Sequence, residues 1–172
     1  MSSVDITQGR MSRTIHIRIW LKIPDAEAAT LKNTLRRRMG YGELLEDVRR
    51  ERLISVEIDS GDPEEVARAL VRELVNENKE SHRVTIDELG LEEGYTPVKV
   101  ALHIEDGEAI SIRNRLRNRL GLSSVSEVRR ATIWKLYLKE NGGEKAARQI
   151  AEGLLINPHK DSYEILHARS IA

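Results

Sequence analysis

At 172 residues, with 40% hydrophobic and 33% charged side chains, the chain has the apolar content of a folded protein rather than a disordered one. Lys+Arg and Asp+Glu both total 28, so the basic excess of a nucleic-acid-binding domain is missing, and two Trp, four Tyr and no Phe leave few platforms for stacking bases. There is no cysteine, which excludes disulfides, thiolate metal sites and cysteine nucleophiles, and no apolar run approaches the roughly 18 residues of a membrane span.

Met1 to Arg13 lacks the apolar core of a signal peptide, so the expected location is cytoplasmic. After this tail, Ile15, Ile17, Ile19, Leu21 and Ile23 alternate with polar or amphipathic residues and predict a strand buried on one face. Ala28, Leu31, Leu35 and Met39 follow at helical spacing, and Gly40 stands where a helix stops. Arg49 and Arg50 precede an alternating strand at 53–59 with Ile54, Val56 and Ile58 on one side. Asp62-Pro63-Glu64-Glu65 then opens a second helix, with a capping carboxylate, a proline tolerated in the first turn and glutamates at the positive end. A short third strand is expected at about 82–87, and Leu89 to Thr96, with Gly90 and Gly94, reads as a linker.

The same order then recurs. Val98, Val100, Leu102 and Ile104 form a strand pattern; Ala109, Ile112, Leu116 and Leu120 form a helix stripe ending at Gly121. Arg129 and Arg130 precede a strand at 133–139 carrying Trp134, Leu136 and Leu138. Gly142-Gly143 marks a turn, and a last short strand falls at 162–167. Asn33 to Gly40 echoes Asn114 to Gly121 at an offset of 81, and Asp47-Val48-Arg49-Arg50 echoes Glu127-Val128-Arg129-Arg130 at an offset of 80. A single duplication accounts for this. The expected fold is α+β, two tandem β-α-β-α-β units with both helices of a unit on one sheet face, divided as tail 1–13, repeat 14–88, linker 89–96 and repeat 97–172. A three-stranded unit of about 80 residues has a thin core and two open edges, so the two units are expected to pack as an intrachain pseudo-dimer.

No constellation for chemistry emerges. The five histidines lie at no metal-ligand spacing, Gly40-Tyr41-Gly42 follows a helix instead of opening one, and Ser123, Ser124 and Ser126 have no histidine and acid at recognisable spacing. Hence no catalytic, cofactor or metal residue is expected. Arg113, Arg115, Arg117 and Arg119 border both sides of their helix's apolar stripe and read as solvated flank. Arg49, Arg50, Arg129 and Arg130 recur at matched positions, where pairing with nearby glutamates and contact with a partner are both open. Trp134 and Tyr137 point to opposite faces of one strand, leaving one of them free as a packing anchor.

The second half carries a more particular pattern: Leu120-Gly121-Leu122, Glu127-Val128-Arg129, the strand Ile133 to Leu138, then Leu154-Leu155-Ile156-Asn157-Pro158 and Asp161-Ser162-Tyr163-Glu164-Ile165. In this order, over Val98 to His167, it resembles the PurS family, the small subunit of phosphoribosylformylglycinamidine (FGAM) synthase in purine biosynthesis. The first half is similar but more diverged, with Met39-Gly40-Tyr41 and Glu46-Asp47-Val48-Arg49, while Asn76-Glu77-Asn78 stands in place of Asn-Pro. Two departures are visible. The family's Asp-Pro-X-Gly shrinks to Pro24-Asp25-Ala26 and Asp106-Gly107, and where the family favours a glycine after the Val-Arg pair this chain has Arg50-Glu51 and Arg130-Ala131.

The resemblance implies a non-catalytic subunit that acts in pairs, without cofactor. It would hold a glutaminase beside an ATP-dependent synthetase while ammonia passes between them. A tandem chain is then a covalent pair, open to further self-association, with protein partners and neither nucleic acid nor membrane. The expected partner surface comprises Arg49, Arg50, Arg129, Arg130, Trp134, Asn157 and Pro158. The alternative is a regulatory α+β module that binds a small molecule between its two units and has no enzyme partner.

Overall fold

The computed structural model describes residues 12–139 and 143–167. Most of the expected tail 1–13, Gly142 of the Gly142-Gly143 turn and the last residues of the expected repeat 97–172 lie outside the described residues. The chain runs β1 (Arg13–Leu21), α1 (Ala26–Arg37), β2 (Leu45–Ile58), α2 (Pro63–Leu74), β3 (Glu80–Ile86) and β4 (Thr96–Leu102). It continues with α3 (Gly107–Asn114, prolonged by a π-helical turn over Arg115–Arg119), β5 (Val125–Leu138), α4 (Gly143–Ile150, prolonged likewise over Ala151–Leu155) and β6 (Asp161–Ile165).

All six strands join one antiparallel sheet in the order β3-β1-β2-β5-β4-β6. The two halves therefore meet edge to edge through their longest strands, β2 and β5. Register repeats with element order. Ile17 lies opposite Ile54 and Val84 in one half, and Val98 opposite Trp134 and Ile165 in the other. Arg52 pairs with Thr132, and the ladder runs out on both sides of this point to Leu45↔Leu138 and Ile58↔Val125. Beyond its ends, Asp59 N–H donates to Ser124 O and Lys139 N–H to Leu44 O, both at 2.9 Å.

The central strands are longer than the alternation predicts, 14 residues each, so Arg49, Arg50, Arg129 and Arg130 lie within them instead of before them. Glu46-Asp47-Val48-Arg49-Arg50-Glu51-Arg52 is too charged to look like a strand. The β2–β5 ladder gives its backbone partners that local sequence does not advertise. The outer strands stop earlier than expected: β1 ends at Leu21 and β4 at Leu102, leaving Ile23 and Ile104 69% and 52% exposed. Met39 and Leu120, expected in the helix stripes, lie past the last helical turns and are partly exposed.

Four helices cover one face and form two cores, each drawn from both halves. In one, Val66, Ala67 and Leu70 of α2 share a cluster with Ala109, Ile112 and Leu116 of α3 over Ile15, Ile17, Ile54 and Val56. In the other, Ala28 and Leu35 of α1 share a cluster with Ala147, Ile150 and Ala151 of α4 over Val48, Val98 and Leu136. The expected linker 89–96 is more than a connector: Leu89 and Leu91 are buried on Leu53 and Ile133 of the opposite face, and Thr96 already belongs to β4.

Leu35 and Leu116 occupy matching places in the two cores and both are fully buried. Truncating either to Ala should cost about 2–5 kcal/mol, read as a lower urea midpoint. An unchanged midpoint in both variants would contradict the helix faces described.

Candidate partner-binding site

Because β2 and β5 outrun their outer neighbours, each has a stretch with only one pairing partner. β1 pairs with β2 from Arg13↔Ile58 to Ile19↔Arg52, so Leu45–Glu51 is paired on the β5 side alone. β4 pairs with β5 from Thr96↔Leu136 to Val100↔Thr132, which leaves Val125–Ala131 in the same position. A groove lies beside each unpaired edge, with a volume of about 770 Å³ at β2 and about 460 Å³ at β5. Their walls match residue for residue: Ile23, Asp25, Ala28, Lys32, Val48 and Arg49 in the first, and Ile104, Asp106, Ala109, Arg113, Val128 and Arg129 in the second.

One wall of each groove is fixed by an arginine clamp. The Asp25 carboxylate caps α1 by accepting from the Glu27 and Ala28 amides at 3.0 and 3.4 Å, and Arg50 grips the same carboxylate at 2.8 and 3.1 Å while also reaching Glu27. Asp106 caps α3 through the Glu108 and Ala109 amides at 3.1 and 3.2 Å, and Arg130 holds it at 3.1 and 3.0 Å and reaches Glu108 at 2.8 Å. Burial opposes ionisation of Asp106, but Arg130 and the two amides hold its carboxyl below the usual carboxylate range. Arg50 and Arg130 thus anchor the helix starts to the central strands.

Arg49 and Arg129 are the free-standing members of the two pairs. Arg49 is 67% exposed, touches Asp47 at 3.2 Å and lies 5.2 Å from the Tyr137 ring centre. Arg129 is half-exposed and lies 3.3 Å from Glu127. Of the two aromatics on β5, Trp134 packs against the α1–α4 core beneath the Arg50 guanidinium, 5.6 Å from its ring centre. Tyr137 is on the other face, 5.5 Å from Tyr95.

Asn157 and Pro158 are exposed in the turn before β6. The Asn157 side chain accepts from His159 N–H at 3.0 Å and the Asn157 backbone N–H donates to Asp161 at 2.9 Å. Asn76 makes the same turn, accepting from Asn78 N–H at 3.2 Å and donating from its backbone N–H to Glu80 at 2.9 Å, so the turn's hydrogen bonds do not depend on the proline.

The first groove also ends on a buried ion network that the sequence does not reveal. Arg18 and Glu51, 1% and 3% exposed, form a two-pronged pair at 2.7 and 3.1 Å. Arg18 further donates to Glu92 at 2.9 and 2.8 Å and to Gly90 O at 3.1 Å, so all five guanidinium N–H groups have partners. Lys135 approaches Glu51 at 2.6 Å, Arg83 approaches Glu92 at 2.7 Å, and the Tyr95 hydroxyl donates to Glu92 at 2.7 Å. Burial alone would lower the Arg18 pKa, but Glu92 and Glu51 outweigh it and raise it. Arg18 in turn holds the Glu92 carboxyl well below the usual range. Leu89 and Leu91, two positions apart inside an otherwise polar linker, were the visible hint that this strap packs on the sheet.

The second half has Lys99 and Ala131 where the first has Arg18 and Glu51. Seven Lys and Arg line the first groove against four Asp and Glu, whereas three face three in the second, so the grooves share a frame of matched positions and differ in size and charge.

The family model described as "PurS: Phosphoribosylformylglycinamidine (FGAM) synthase" matches residues 96–168. Over these residues, less than half of the chain, the sequence is similar to the PurS family. The PurS match begins with β4 and takes in α3, β5, α4 and β6, hence the second groove, Arg129, Arg130, Trp134 and the Asn157-Pro158 turn. No curated protein matches the chain. A solved structure described as that of an unknown protein from Galdieria sulphuraria shares 7% identity, covering 91% of this chain and 99% of its own, with a TM-score of 0.23. The two departures from the PurS pattern fit together. The arginine in the glycine's place is the one that grips the aspartate remaining from the shortened helix entry.

Removing Arg18 leaves two carboxylates short of their main partner, and Arg18→Ala should cost about 3–5 kcal/mol by urea unfolding at neutral pH. Since the folded Glu92 carboxyl is depressed, its contribution is complete above the unfolded value of about 4.3 and is lost as pH falls through the folded one. Stability should therefore fall on acidification below about pH 5, and Glu92→Gln should flatten that limb. An identical acid limb in the variant would contradict the network's role.

Proposed function

We propose that the chain is a non-catalytic subunit of FGAM synthase that carries two PurS-like units, the product of a tandem duplication, in one polypeptide and bridges the glutaminase and synthetase subunits. The observation that carries this is the PurS match over 96–168. Matching element order, register and grooves in the first half support a second unit of the same kind. In this reading Arg49, Arg129, Asn157 and Pro158 meet partners directly. Arg50, Arg130 and Trp134 act behind them by holding the groove walls. No described helix is long and apolar enough to cross a membrane, and a cytoplasmic location fits a subunit of purine biosynthesis.

A second reading, a small-molecule regulatory module, has one observation in its favour. A pocket of about 440 Å³ lies between the halves, with Arg50, Arg52, Arg130 and Trp134 in its wall. Each of those arginines is already paired, with Asp25, Glu80 and Asp106 respectively, so an anionic ligand would have to displace an internal carboxylate. That ranks it second.

Mixing the purified chain with glutaminase and synthetase subunits should raise glutamine-dependent FGAM formation, while the chain alone neither hydrolyses ATP nor releases ammonia from glutamine. Turnover by the chain alone that is abolished by a point substitution, or a mixture indifferent to the chain, would overturn the first reading.

A further inference from the structure

We propose that the first groove binds an extended, acidic segment of a partner protein by adding it as a strand to the open edge of β2 over Asp47–Glu51. This deepens the bridging role and rests on it only for the partner's identity. The physical basis is the backbone. A strand with a single neighbour directs alternate N–H and C=O groups to its unpaired side, and such an edge is a template for another strand. On this stretch the Val48 N–H donates to the Asp47 carboxylate at 2.9 Å, a local bond that an incoming strand replaces. Edges of this kind normally lie at the margin of a sheet. Here one is opened inside it, because β1 stops pairing with β2 at Ile19↔Arg52 while β2 continues to Leu45. Five residues, Asp47 to Glu51, offer about 17 Å of edge, enough for a segment of the same length.

The side chains around the edge set its preference. Ile23, 69% exposed, offers apolar contact beside the backbone. Lys32 and Arg49 share a single carboxylate, Asp47, at 3.4 and 3.2 Å, which leaves the groove mouth with more positive than negative charge. An incoming carboxylate would complete that count. The Arg50–Asp25 clamp fixes the wall in advance, so little ordering remains to be done on binding. At the second groove Arg129 has Glu127 to itself, and Glu105 stands where the first groove has Pro24, so the same acidic segment finds no surplus charge there. Two grooves on one frame that differ in size and charge are suited to two different partners.

The test uses the whole chain and a capped, fluorescent six-residue peptide alternating Glu and Val, compared with a Lys-for-Glu version and with an analogue N-methylated at every residue. Anisotropy should show saturable binding of the acidic peptide only, with amide NMR shifts concentrated at Asp47–Glu51. Arg49→Glu, at a 67% exposed position and with an unchanged urea midpoint as its folding control, should weaken binding about tenfold or more. Arg129→Glu should change it less than about twofold. Absence of saturable binding, equal binding of the N-methylated or Lys peptide, equal loss in the two variants, or shifts at β3 or β6 instead would overturn strand addition at this edge. None of these outcomes bears on whether the chain stimulates FGAM synthase, which the mixing experiment decides separately.

Discussion

The rest of the structure depends on the antiparallel ladder between β2 and β5. It makes one six-stranded sheet from two three-stranded halves, and it fixes where every helix lands. A three-stranded unit of this size cannot cover its own apolar face well. Here α1 shares a core with α4 and α2 with α3, so each cluster mixes residues from both halves. The halves are complementary parts of a single packed object more than they are separate beads.

The same ladder creates the grooves. The central strands need their full length to pair with each other, while the outer strands turn away into helices after pairing only part of that length. The overhang must be bordered by something, and the chain borders it with a helix start pinned by an arginine from the overhang itself: Arg50 on Asp25, Arg130 on Asp106. Shape is thereby set by pairing that recurs in both halves. Charge is set by residues that do not recur: Arg18, Lys22, Arg83 and Lys135 of the first groove outnumber Glu51 and the strap residue Glu92.

Periodicity made much of this legible. The three- and four-residue spacing that placed Leu35 and Leu116 at the core, and the alternation of Ile15, Ile17 and Ile19, reflect burial on one face and need no tertiary information. What could not be read was structure whose cause lies far along the chain. Residues 46–52 form a strand because β5 supplies their partners. Leu89 to Tyr95 looked like a linker because its role depends on Arg18, more than 70 positions away. Arg50 and Arg130 were recognisable as matched, yet their partners Asp25 and Asp106 lie across a helix start, and only the fold shows that the pairs anchor helices. Both aromatics of β5 were candidates for exposure. The helix layer covers the Trp134 side, and on the face carrying Tyr137 the strap residue Tyr95 packs beside it.

Complementarity of the halves is tested most directly by cutting the chain between Glu93 and Gly94 and preparing the two pieces separately. Each piece alone would expose half of two cores and should show no cooperative urea transition. Mixed one to one, they should associate and regain a single transition. Two pieces that each unfold cooperatively on their own, and have no affinity for one another, would contradict the shared cores on which this account of the fold and its grooves is built.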